Sequence, residues 1–124
     1  MRIFKNKWFA KFAGKEGISD KKLIQAVRDA EAGLIDADYG GGVIKQRIAR
    51  TNKGKSGGYR AVILYRSGDK AFFVYGYSKK DQGNISDEEE NYFKKLAKLT
   101  LAMNDKELED LLKEGIYKEV NGND

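Results

Sequence analysis

Three residue types are missing from this chain: there is no cysteine, no histidine and no proline among its 124 residues. Without cysteine there is no disulfide, and the redox compartment is left to other clues. Without cysteine and histidine, thiolate or imidazole zinc sites are excluded, and so are Ser-His-Asp and Cys-His catalysis. Any general acid or base must then be Lys, Tyr, Asp, Glu or water. Long hydrophobic runs are also lacking. The longest, Ala61–Tyr65 and Ala71–Tyr75, fall far short of the roughly 20 residues that span a bilayer. The start, Met1-Arg2-Ile3-Phe4-Lys5-Asn6-Lys7, has no apolar core of the signal-peptide kind. The expectation is a soluble cytoplasmic protein without a membrane partner. What is present is a folding composition, 40% apolar and 11% aromatic, in a chain long enough for one domain over residues 1–124.

Charge is unevenly placed. Residues 1–80 hold 18 Lys+Arg against 7 Asp+Glu, and residues 81–124 hold 6 against 12. The basic part points to a polyanion partner. The acidic part has a structural reading, because its carboxylates fall where helix starts favour negative charge.

The apolar period divides the chain into three stretches. Residues 1–34 read as a short strand, Arg2–Lys5, and a helical hairpin. Trp8, Phe9 and Phe12 share one side of a first helix that Gly14 and Gly17 would end. Ser19 caps a second, over about 20–32, with Leu23, Ile24, Val27, Ala30 and Leu34 facing inward. Residues 43–80 read as an antiparallel β-meander, with strands Val43–Arg50, Tyr59–Arg66 and Lys70–Lys79. Its bounding turns are Gly40-Gly41-Gly42, Asn52–Gly58 and Ser67-Gly68-Asp69. Residues 86–114 return to the helical period. Ser86 with Glu89 forms a capping box, and Asn104 with Glu107 a second. Tyr92, Phe93, Leu96, Leu99, Thr100 and Met103 line the expected buried side. A short last strand over 116–120 follows Gly115. The fold class is α+β: a small antiparallel sheet with an N-terminal helical hairpin and C-terminal helices.

The segment Ala49–Ser56 is spelled like a loose phosphate loop. A working phosphate loop leads into a helix, and here Tyr59–Tyr65 is a strand, so that reading is rejected. The basic residues of 45–80 carry more information. Lys45, Arg47, Arg50, Lys53, Lys55, Arg60, Arg66, Lys70, Lys79 and Lys80 make ten cations against the single acid Asp69. Lys45 and Arg47, two apart, share a face of one strand, and Arg60 shares a face with Val62, Leu64 and Arg66 on the next. Solvated surfaces normally mix signs, whereas a field of one sign at this density suits a phosphate backbone.

These residues carry a resemblance. Lys45-Gln46-Arg47-Ile48-Ala49-Arg50, then Gly58-Tyr59-Arg60, then a strand ending in Ser78-Lys79-Lys80-Asp81 and Asn84-Ile85-Ser86 resemble, in order and spacing, the RelE/HigB-like toxins of bacterial type II toxin–antitoxin modules. The likeness covers about 40–120. It implies a small antiparallel sheet with a helical hairpin on one side. The activity it implies is endoribonucleolytic, on messenger RNA at the ribosome, inhibiting translation without metal or other cofactor. It assigns catalytic roles to Lys45, Arg47, Arg60 and Lys80, with Lys79 beside the last. The cationic field and the aromatics of the last strand add Arg50, Lys53, Lys55, Tyr77 and Lys79 as candidate RNA contacts. The family's downstream Tyr or His has no match; its position falls near Ile85-Ser86. A cognate helix-turn-helix antitoxin is the implied partner, with promoter DNA bound only through the toxin–antitoxin complex.

Metal-free RNA cleavage sets the chemistry those residues must perform. The 2′-hydroxyl attacks phosphorus, so its proton must be taken, a dianionic phosphorane stabilised and the leaving 5′-oxygen protonated. Arg60 suits the phosphorane as a bidentate donor. Lys45 or Lys80, crowded by cations, is a candidate base, with another lysine as acid. Tyr75 and Tyr77 are candidates for base stacking or proton transfer, with packing the competing role. Two other functions fit the same residues: a ParE-like toxin of DNA gyrase, and a non-catalytic RNA-binding module.

Overall fold

Local sequence sets the helix ends. In the computed structural model, which describes residues 1–50 and 54–121 (54–57 as backbone alone), Asn6 caps α1 (Lys7–Glu16) by accepting from Phe9 N–H at 2.7 Å. The helix runs through Gly14 and ends only at Gly17, whose φ of 69° is left-handed. Ser19 caps α2 (Asp20–Glu31). Capping boxes open α3 (Asp87–Thr100) at Ser86/Glu89 and α4 (Asp105–Lys113) at Asn104/Glu107, as the sequence predicts.

Six strands form one sheet: β1 (Arg2–Asn6), β2 (Ala37–Gly40), β3 (Val43–Arg50), β4 (Gly54–Arg66), β5 (Lys70–Ser78) and β6 (Tyr117–Val120). Their order is β2-β3-β4-β5-β1-β6. The stretch β2 to β5 is an antiparallel meander. β1 lies beside β5 in parallel and pairs antiparallel with β6. The sheet is therefore mixed at that edge, where the meander pattern alone gives no parallel pair. β2 is an additional strand, and β4 begins before Gly58, inside what the glycines mark as a turn.

Both faces carry helices. α1 and α2 cover one face, burying Ile44, Ile48, Ala61, Ile63 and Phe73 against Phe9, Leu23 and Val27. α3 and α4 cover part of the other, over Phe4, Val43, Val62, Leu64 and Phe72. Phe4, Phe9, Phe72 and Phe73 are fully buried; truncating any one to Ala would cost about 3–5 kcal/mol. Tyr92 and Leu99, assigned to the buried side by period, are instead 61% and 72% exposed. Leu34 is exposed too. The covered stripe of α3 is narrower than its apolar period, centring on Phe93, Ala97 and Thr100.

One irregularity shapes the site. Ile63 pairs with Phe73 while Val62 pairs with Tyr75, so Val74 is an extra residue in β5. This β-bulge reverses the strand's alternation. Before it, Phe72 faces α3; after it, Tyr75 and Tyr77 do. Gly76 then faces α1, where a Cβ would stand 2.6 Å from the Phe12 ring.

Among the described residues, no helix is long and apolar enough to cross a membrane.

Candidate active site at the open end of the sheet

α3 approaches the start of β3: a Cβ at Gly42 would lie 2.7 Å from Leu101 and one at Gly41 3.3 Å from Lys94. Lys45 and Arg47 leave the same face of β3 further along the strand. Register then builds a rung across three strands, Arg47 opposite Arg60 on β4 and Arg60 opposite Tyr77 on β5. Two like charges directly opposed repel. The anion that compensates them is Asp36, in the link between α2 and β2.

Asp36 accepts from Arg47 Nε at 2.8 Å through Oδ1. Its Oδ2 lies 3.6 Å from Lys45 Nζ and 3.8 Å from Arg60 Nε. Burial is graded across the cluster. The Arg47 side chain is 49% exposed, Lys45 14% and Asp36 13%; Arg60 is 5% exposed as a residue, and its Nη1 also donates to the Tyr59 carbonyl at 3.3 Å. Arg60 forms the floor and Arg47 the rim.

The position of Asp36 is set from the other side of the sheet. Gln46, between Lys45 and Arg47, points into the α1/α2 core and is buried. Its amide donates to the carbonyls of Ala26 and Leu34, both at 3.0 Å, and accepts from the Asp36 N–H at 2.9 Å. A buried amide whose hydrogen bonds are met in this way fixes the backbone around it.

Tyrosines wall the cluster. The Tyr77 hydroxyl is buried without a hydrogen-bond partner. Burial pushes its pKa up to about 12, against the pull of Arg60. Burial also raises Tyr39 and Tyr75. Tyr39 donates to Asn84 at 2.8 Å and Tyr75 to Gln82 at 2.9 Å. The segment after β5 is thereby strapped along this wall. Ile85 is buried and the Ser86 hydroxyl caps α3, so the two residues nearest the family's downstream Tyr or His serve packing and capping.

The structure brings Lys45, Arg47, Arg60 and Tyr77 together. It places Lys79 and Lys80 exposed on the turn just past Ser78, which pairs with Tyr59 one step beyond the rung. Arg50 is not part of the cluster: it stacks over the Tyr59 ring at 5.4 Å, on the face that α1 and α2 cover. Lys53 lies outside the described residues, as does the Lys55 side chain. Asp36, Tyr39 and Gln46 were not singled out from sequence. The only signal for Asp36 was an acid just before a long cationic stretch.

A sheet corner where buried and half-buried cations from two strands converge on one carboxylate defines a small α+β protein with a geometry suited to an oxyanion. The family model described as the RelE toxin of the RelE / RelB toxin–antitoxin system matches residues 1–120. The chain belongs to that family, and so is the toxin of a toxin–antitoxin system with an antitoxin as its partner. No curated protein and no solved structure matches it.

Proposed function

We propose that this toxin is a metal-independent, ribosome-dependent endoribonuclease that cuts messenger RNA in the cytoplasm and inhibits translation. The observation that carries the reading is the convergence of Lys45, Arg47 and Arg60, from two adjacent strands, on one carboxylate. Three cations that close on two carboxylate oxygens can close on the non-bridging oxygens of a phosphate. Arg47 at the rim would meet the RNA first. Arg60 at the floor would oppose the charge that grows on the phosphorane, and Lys45 would protonate the leaving oxygen. Lys79 and Lys80 would hold the flanking nucleotides, with buried Tyr77 packed behind Arg60. A helix-turn-helix antitoxin would cover this cationic corner, and the pair would bind its own promoter.

The test is induction of the protein in cells with transcripts mapped on ribosomes. Wild type should arrest growth and cut ribosome-bound mRNA. Arg60→Ala should lose about 10²–10³-fold in cleavage; because Arg60 is buried, the exposed Arg47→Ala is measured beside it with folding checked by circular dichroism. Arrest with intact mRNA and gyrase-linked DNA breaks would overturn the nuclease reading. Full toxicity of both Arg60→Ala and Lys80→Ala would overturn the site.

A further inference from the structure

We infer that Asp36 is the general base of this reaction, taking the proton from the attacking 2′-hydroxyl, with Lys45 beside it as the acid. The inference rests on the nuclease reading above and names the group that its chemistry still lacks.

The ionisable groups around the site can be taken element by element. β3 contributes Lys45 and Arg47, and β4 contributes Arg60; in their ordinary forms at neutral pH all three are cations, which give protons rather than accept them. β2 contributes Tyr39 and β5 contributes Tyr75 and Tyr77, all raised by burial and so protonated at neutral pH. α2 contributes Asp29, whose carboxylate accepts from Gln25 on its own helix at 2.9 Å. β2 also contributes Asp38, which accepts from the Gly40 N–H, α3 contributes Glu89 and Glu90, engaged by the Ser86 cap and by Lys94, and the turn after β5 contributes Lys79 and Lys80. Of these carboxylates Asp36 is the one in ion-pair contact with Lys45, Arg47 and Arg60. It is an acceptor in its ordinary form, with no need for a lysine to lose its proton first.

Geometry supports the role. A base must be reachable, and Asp36 lines a surface cavity of about 360 Å³ with Asp29, Gln46 and Arg47, so that Arg47 borders both this cavity and the cation cluster while Lys45 and Arg60 lie outside it. A base must also be held in place, and the Gln46 amide holds the Asp36 backbone from beneath the sheet. It must lie beside the groups that bind the phosphate, and its oxygens are within 2.8–3.8 Å of all three. As the cations turn to the incoming phosphate, the carboxylate is freed to accept the proton.

The steps balance. The 2′-O–H bond breaks and its proton passes to Asp36 as the 2′-O–P bond forms. The P–O5′ bond breaks, and the 5′-oxygen takes a proton from the Lys45 ammonium. The products are a 2′,3′-cyclic phosphate and a 5′-hydroxyl. Asp36 is then protonated and Lys45 neutral, and one proton crossing the 3.6 Å between them restores the resting pair.

The experiment is single-turnover cleavage of ribosome-bound mRNA by the full chain across pH, with RNA binding measured separately. Asp36→Asn should lower the rate by about 10²–10⁴-fold, leave RNA affinity unchanged or tighter, and lose the acid-side fall in rate that wild type shows. Asp36→Glu should recover part of the rate and keep that fall. Cleavage by Asp36→Asn at or above the wild-type rate would make Asp36 a counter-ion only and overturn the inference. So would a rate loss matched by an equal loss of RNA binding. If Asp36→Asn fails to fold, loss of the acid-side fall in an active Asp36→Glu, or wild-type cleavage of a substrate with 2′-deoxy at the scissile nucleotide, would overturn it as well. Wild type leaving mRNA intact at every pH would instead overturn the nuclease reading itself.

Discussion

Asp20 and Asp36 are both largely covered carboxylates on opposite faces of the same sheet, and they keep different company. Asp20 meets one cation, Lys5 Nζ at 2.8 Å, and opens α2, whose N-terminus favours its charge. Asp36 meets three, only one of them at hydrogen-bond distance. The first arrangement is balanced and complete. The second draws three cations to one carboxylate, two of them at longer range, and Asp36 and Arg47 also line a surface cavity. A close one-to-one pair serves the fold; three cations converging on one carboxylate form a geometry that another oxyanion can enter.

The largest expected effect separates the two lysines. Lys45→Ala should lower cleavage by about 10²–10⁴-fold with little loss of stability. Lys5→Ala should do the reverse: an unchanged rate per folded molecule and a loss of about 1–3 kcal/mol in urea unfolding, since it strands a partly buried carboxylate. Equal rate losses in both variants would erase the contrast. Gln46→Leu should act on both regions. It leaves two carbonyls and the Asp36 N–H without their partner, costing about 2–4 kcal/mol by denaturation, and lowers cleavage by loosening Asp36.

Tyr77→Phe sharpens the contrast from the other side. Removing a buried hydroxyl that lacks a partner should leave stability unchanged or raise it by about 1 kcal/mol and leave RNA binding unchanged. The raised pKa gives a pH signature. Below about pH 10 native and unfolded Tyr77 both keep their proton. Between 10 and about 12 the unfolded chain releases it first, so wild type loses stability across that window and Tyr77→Phe loses less. Thermal melts over pH 9–12 would show the difference. The smallest effect is in salt dependence. Arg47→Ala should reduce the slope of log affinity against log salt by about 0.7 for single-stranded RNA. Arg2→Ala should leave it alone, because Arg2 is already engaged by Glu109 and Glu119.

What the sequence disclosed follows from the range of the forces involved. Ser86/Glu89 and Asn104/Glu107 were legible because a cap is made within four residues. Lys45 and Arg47 were legible as a pair because a strand alternates with period two, and Arg60 because Gly58-Tyr59-Arg60 is a local motif. β2 was not, since Ala37–Gly40 is too short to show alternation and owes its existence to β3. Asp36 was not, because its meaning lies in partners on two later strands. Arg50 falls on the opposite face by the same alternation, and in the fold it turns to Tyr59 there; counting it with the interface followed its charge alone.

The extra residue at Val74 has a consequence for how this molecule can vary. β5 is read in one frame by the core at its start and in the other frame by the site at its end. Removing the one residue would exchange the tenants of its second half. Tyr75 and Tyr77 would be driven toward the rings of Phe9 and Phe12, where Gly76 now makes room, and Gly76 and Ser78 would stand beside Arg60. The glycine, the tyrosines and the bulge form one interlocked unit, and a change of length there rewrites the wall of the site without altering a single residue that lines it.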